Sequence, residues 1–137
     1  MSVTDLSKER SQYAFKSVKE VIEKFPNIKD KKTKKLVPSK QQKDYKSYVK
    51  KIPMMILNNG LGATFAFVYS RRDVDAYNLI YNQTNEWLKK DDKNDLIDWI
   101  INLESSEYRA VTNEVLALFN WLKRFADGMI EGEDNDS

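Results

Sequence analysis

"IPMMILNNGLGATFAFVYSR", Ile52 to Arg71, sets two asparagines and two glycines between apolar runs and ends on arginine. It is either a phosphate-cradling glycine loop or a tight corner between two helices. A Walker-type loop needs G-x-x-x-x-G-K-[ST] after a strand. Here Gly60 and Gly62 are followed by Ala63 and Thr64, with no lysine, and the residues before them follow a helical period. A dinucleotide fingerprint fails as well, for want of a third glycine and a βαβ context. The corner is the better reading. Asn58-Asn59-Gly60 stops one helix, and Gly62 allows two helices to approach closely.

Helical periodicity continues on both sides of this corner. Upstream, Tyr45, Tyr48, Val49, Ile52 and Ile56 form one stripe. Ser39 opens that helix after Pro38, and Gln42 completes a capping-box pattern. Pro53 lies inside the stripe, so a kink or a break into two short helices is expected there. Further upstream, Ala14, Val18, Val21, Ile22 and Phe25 mark a first helix that Pro26 ends. Between the two, "NIKDKKTKKLVP" holds almost no apolar residue and reads as an exposed or disordered loop.

Downstream, "LGATFAFVYS" is apolar nearly all round and reads as a central buried helix. A fourth helix is expected over residues 73–89, with Ala76, Tyr77, Ile80, Thr84, Trp87 and Leu88 inward. "KKDDKND" is a charged turn, and Asn94 or Asp95 caps a short segment carrying Leu96, Ile97, Ile100 and Ile101. Ser105 or Ser106 starts a last long helix. Its stripe of Val111, Val115, Leu118, Phe119, Leu122, Phe125 and Ala126 runs to Gly128. The expected fold is all-α: a compact single-domain bundle of five to seven helices over residues 1–128. Residues 129–137 form an acidic tail.

Composition narrows the chemistry. The 137 residues suit one domain with one core. Histidine and cysteine are both absent. That removes the usual neutral-pH base, thiol nucleophiles, disulfides and imidazole or thiolate metal sites. Glu104, Glu107 and Glu114 recur on the last helix, but without histidine they make no di-iron site. Asp91, Asp92 and Asp95 could gather Mg²⁺ for a nuclease, although a solvated acidic turn explains them better. Trp87, Trp99 and Trp121 sit within apolar stripes and read as core. No window is long and apolar enough to span a membrane, and the start lacks a signal-peptide core. We therefore expect a cytoplasmic protein that binds rather than reacts, with no enzyme activity, metal or cofactor.

Charge points to the partner. Residues 1–60 hold 15 Lys/Arg against 6 Asp/Glu, whereas residues 61–137 hold 8 against 15. Asn27 to Lys51 is densest, with ten lysines against Asp30 and Asp44. Such a segment fits a polyanion, or else a solvated lysine-rich loop.

Three patterns then converge. "YKSYVKKIPMMILNNGLGATFAFVYS", "LIYNQTNEWL" and "EYRAVTNEVLALFNWLKRFADG" together resemble the small all-helical subunit of the type III-B CRISPR effector, the Cmr complex. The likeness runs from about Ser11 through Gly128, and is most specific around Pro53–Phe67 and Tyr108–Gly128. It leaves out the lysine-rich segment 27–40 and the tail. The resemblance implies a non-catalytic antiviral-defence subunit whose copies stack into a short filament. That filament would run beside repeated guide-RNA-holding backbone subunits and touch the large polymerase-like subunit. Its role would be to line the channel that holds the guide RNA–target RNA duplex.

A channel that accepts any guide must contact backbone and leave sequence to base pairing. The cations expected to do so combine family-like segments with local charge. They are Lys46, Lys50 and Lys51 on the second helix, Arg71 and Arg72 after the third, then Arg109, Lys123 and Arg124. For Arg109 the competing expectation is an ion pair with Glu107 or Glu114. For Asn58 and Asn59, helix capping is preferred to phosphate binding. The alternative function is a helical protein–protein adaptor with no direct nucleic-acid contact.

Overall fold

The computed structural model describes residues 3–88 and 95–132. Six helices and one two-stranded hairpin fill them, so the chain is an all-α domain: α1 (Val3–Lys24), β1 (Ile28–Lys29), β2 (Leu36–Val37), α2 (Lys40–Asn59), α3 (Leu61–Ser70), α4 (Asp75–Leu88), α5 (Leu96–Ile101) and α6 (Ser105–Met129). Of the expected charged turn, residues 89–95, all but Asp95 lie outside the described residues.

The long helix α6 lies along both α1 and α2, α2 packs in turn on α4, and α3 bridges α4 and α5. The apolar stripes meet as their spacing demands. Val18 and Val21 of α1, Tyr45, Val49 and Ile52 of α2, and Leu118, Phe119 and Leu122 of α6 are all shut off from solvent. Burying each such side chain contributes about 1.5–3 kcal/mol, and this burial is what holds the bundle together.

One buried polar hub ties three helices. Gln83 of α4 accepts from the Tyr45 hydroxyl at 2.6 Å and donates to the Ser17 carbonyl at 3.1 Å and to Glu20 at 2.9 Å. Its backbone carbonyl accepts from the Tyr13 hydroxyl. A second tie is bidentate: Arg10 of α1 donates twice to Glu114 of α6 at 2.7 Å, and Trp87 Nε1 donates to the same carboxylate at 2.8 Å.

Several expectations need correcting. Helix α2 runs on across Pro53, so of the two outcomes expected there, a kink or a break, the break into two helices does not occur. Its flanks are pinned by α6 and α4, so tertiary packing outweighs the lost backbone hydrogen bond. The capping box forms only by half. Ser39 Oγ accepts from the Gln42 amide, but the Gln42 side chain donates to the Phe25 carbonyl and Asn27.

Segment 27–40 is a hairpin, not a featureless loop. Ile28 faces Val37 and Lys29 faces Leu36. Asp30 accepts from the Thr33 amide and hydroxyl to close the turn, with Lys34 at φ 61°. Helix α3 is not central. Leu61, Thr64, Phe65 and Val68 point inward, while Phe67 and Tyr69 stay 38% and 37% exposed. In α5, Leu96 and Ile100 are buried but Ile101 faces out. Neither α5 nor α6 has a side-chain cap: Asp95 and Glu104 hold the N-cap positions, and Asp95 accepts from the Tyr81 hydroxyl. Helix α6 runs past Gly128 to Met129, and Ile130 beyond it is buried.

The corner itself is as expected in kind. Gly60 adopts φ 91°, ψ 161°, a conformation essentially reserved for glycine. The Gly62 amide donates to the Tyr108 hydroxyl at 2.7 Å, and a Cβ there would lie 3.3 Å from that oxygen. Glycine at both positions lets α3 meet the start of α6.

Candidate nucleic-acid interface

The eight cations divide into four settings. Lys46 leaves the list, because only 7% of it is exposed and its ammonium donates to the carbonyls of Ile130 and Gly132. A cation spent on carbonyls at and just past the end of α6 anchors that segment to α2 and is unavailable to a ligand.

Lys50 is exposed and lies 3.8 Å from Asp127 on α6, one turn beyond Lys123. Both partners are half exposed, so the pair is worth little and its charge is readily redirected. Arg124 lies 5.7 Å from the Trp121 ring, on the same last turns of α6. Arg109 is exposed near the other end of that helix, about 22 Å from Arg124 at the helical rise. It makes no ion pair among the described residues. Glu114, one of its two expected partners, is taken by Arg10 and Trp87.

Lys51, Arg71 and Arg72 are each set against rings of α2, α3 and α4, in two groups. One row of rings links Lys51 to Arg71. Lys51 sits 5.8 Å from the Tyr48 ring, Tyr48 stacks on Tyr77 at 3.9 Å, and Tyr77 meets Phe67 edge-on at 5.6 Å. Arg71 lies 5.9 Å from Phe67. In the second group, the Arg72 guanidinium lies 3.8 Å from the Tyr69 ring and 5.4 Å from Tyr81, and its Nε donates to the Tyr69 carbonyl.

Cations held against ring faces keep a defined position while their outer sides stay wet. Burial pushes the Tyr77 hydroxyl up to about 12, and it raises Tyr48 too. Both phenols are therefore neutral at physiological pH, and the rings themselves carry no charge to offset the three cations.

The rings were missed as site residues, although the signal is local. An aromatic followed three or four places later by a cation stacks the two on one helix face. Tyr48–Lys51, Tyr69–Arg72 and Trp121–Arg124 have the three-residue spacing, and Phe67–Arg71 has the four-residue one.

The groove between α1 and α4 sets Lys16 and Lys19 against Glu20, Glu23 and Glu86. Among the described residues no group of three or more acidic side chains is placed to hold a metal ion. Asp91 and Asp92 lie outside the described residues, and Asp95 is engaged by Tyr81. No described helix is long and apolar enough to cross a membrane.

Comparison with known proteins joins this surface to a family. The family model described as "CRISPR-associated protein (Cas_Cmr5)" matches residues 6–129. The chain belongs to the Cmr5 family. A curated relative, the CRISPR system Cmr subunit Cmr5 of Thermus thermophilus, is 33% identical over 88 residues, covering 64% of this chain and 76% of the relative. The crystal structure of a CRISPR-associated Cmr5 family protein from Thermus thermophilus superposes with a TM-score of 0.72 at 27% identity. That match covers 92% of this chain and 98% of the other. The Cmr5 match, residues 6–129, spans Lys51, Arg71, Arg72, Arg109, Lys123 and Arg124. It also includes the lysine-rich hairpin, which the resemblance drawn from the sequence had left out.

Proposed function

We propose that the chain is the non-catalytic small subunit of a type III-B CRISPR (Cmr) interference complex in antiviral defence. In this role its copies stack into a short filament and line the channel holding the guide RNA–target RNA duplex. Its protein partners are the repeated backbone subunit, the large polymerase-like subunit and further copies of itself. The observation that carries the proposal is the Cmr5-family match, together with the exposed, ring-backed Lys51, Arg71 and Arg72 on that fold.

The physics is that of an A-form duplex. Its phosphates are regularly spaced, and its sequence-bearing edges lie in a groove too deep to read. Ring-backed cations neutralise phosphates and release counterions whatever the guide sequence. A single copy touching a few phosphates binds weakly, and stacked copies add their contacts through effective concentration. Stacking needs apolar surface as well. Met54 and Leu57 of α2 and Ile101 of α5 are 59%, 68% and 62% exposed. The same exposed residues favour the second reading, a protein-only adaptor.

Charge reversal in the reconstituted complex separates the two. Lys51→Glu, Arg71→Glu and Arg72→Glu together leave assembly intact and weaken target-RNA capture for every guide alike. An assembled complex that captures target normally would favour the adaptor.

A further inference from the structure

The α3 face has a feature that backbone neutralisation does not require. Phosphates can be held by lysines on flexible stems, yet here two large rings, Phe67 and Tyr69, remain more than a third exposed beside their arginines. Behind them the rings are fixed: Tyr77 backs Phe67 edge-on at 90°, and Tyr81 lies 5.7 Å from Tyr69. Arg72 is fixed as well. Its guanidinium is at stacking distance from Tyr69 while Nε is tied to the Tyr69 carbonyl at 2.9 Å. Its terminal nitrogens make no hydrogen bond among the described residues. A rigid guanidinium plane over a ring presents its outer face as a stacking surface for another flat group.

Flat groups are hidden inside a duplex, where each base already stacks on its neighbours. They are open where RNA is unpaired, and there bases stack on aromatic rings and arginine planes. We propose that the Phe67–Arg71 and Tyr69–Arg72 pairs at the end of α3 each offer a stacking surface for an unpaired RNA nucleotide. A base stacks on Arg72 or on the exposed Phe67 ring, while Arg71 meets a flanking phosphate. This rests on the RNA-binding reading above and narrows it, for this face, from paired to unpaired RNA.

The test uses the full chain with a short single-stranded RNA carrying 5-iodouridine, and the same strand annealed to its complement. A purely electrostatic surface prefers the duplex, whose charge density is higher. The expected result is the reverse: tighter binding of the single strand, with ultraviolet crosslinks mapping to Phe67 or Tyr69. Tyr69→Leu, which keeps apolar bulk but removes the ring, weakens single-strand binding about five-fold or more. Phe67→Leu serves as the second variant, and the melting temperature of each confirms that it folds.

Duplex binding equal to or tighter than single-strand binding overturns the site. So does an absence of crosslinks on α3, a folded Tyr69→Leu protein that binds as before, or no binding of either RNA at near-millimolar strand. A protein or acidic-peptide occupant would show itself in that same way. If the site fails while the charge-reversed complex loses target capture, the paired-RNA reading stands and only this inference falls.

Discussion

Lys46 and Glu114 show how one charged side chain can belong wholly to the fold. Replacing Lys46 with methionine keeps the stem and strands the carbonyls of Ile130 and Gly132. We expect a loss of about 1–3 kcal/mol in denaturant unfolding with RNA capture by the folded variant unchanged. Reduced capture would return Lys46 to the interface. For Glu114, burial pushes the carboxyl up, but hydrogen bonds from Arg10 and Trp87 and the Arg10 charge outweigh it and hold the group below its ordinary value. A depressed carboxyl binds fewer protons folded than unfolded. Its stabilisation is therefore complete above the unfolded value, near 4.5, and is lost as pH falls through the lower folded value. Unfolding from pH 7 downward should show this acid loss. Glu114→Gln should flatten it and cost about 1–3 kcal/mol at neutral pH, because Arg10 is then left partly buried without its counter-charge.

At the scale of the element, helix existence was legible and helix roles less so. The 3.6-residue stripes of α1, α2, α4 and α6 were plain because buried residues on one face impose that spacing. The corner at Gly60 was plain because only glycine tolerates its backbone. Changing Gly60 to alanine should cost about 1–3 kcal/mol of backbone strain, measurable as a lower midpoint of unfolding. A variant as stable as the parent would contradict that geometry.

Burial of α3 was misjudged because Phe67 and Tyr69 count as apolar in any pattern, while a following arginine can cover an exposed ring as well as a core can. The hairpin was missed because its strands are two residues each, too short for a period to show. Its one marker was Asp30 ahead of a turn. Gln83 gave no signal at all. Its importance depends on three residues from two other helices. Gln83→Leu should cost about 1–3 kcal/mol in unfolding by leaving the Tyr45 hydroxyl buried without an acceptor.

For the molecule as a whole, the division into a basic first half and an acidic second half is partly internal stitching. Arg10–Glu114, Lys50–Asp127 and the Lys46 latch all join the first half to α6 and the chain just beyond it. Counting lysines along the chain therefore overstated the surface available to a polyanion, and it could not show that one row of rings links Lys51 to Arg71. That row requires the α2–α3 corner and the packing of α4 against both.

The central claim is that the ring-backed cations Lys51, Arg71 and Arg72 meet RNA. A structure of the assembled Cmr complex with target bound tests it most directly. The account predicts Arg71 or Arg72 of at least one copy within hydrogen-bonding distance of an RNA phosphate or base. If these cations are instead turned to bulk water in every copy, with no nucleotide within reach of Lys51, Arg71 or Arg72, the account is wrong.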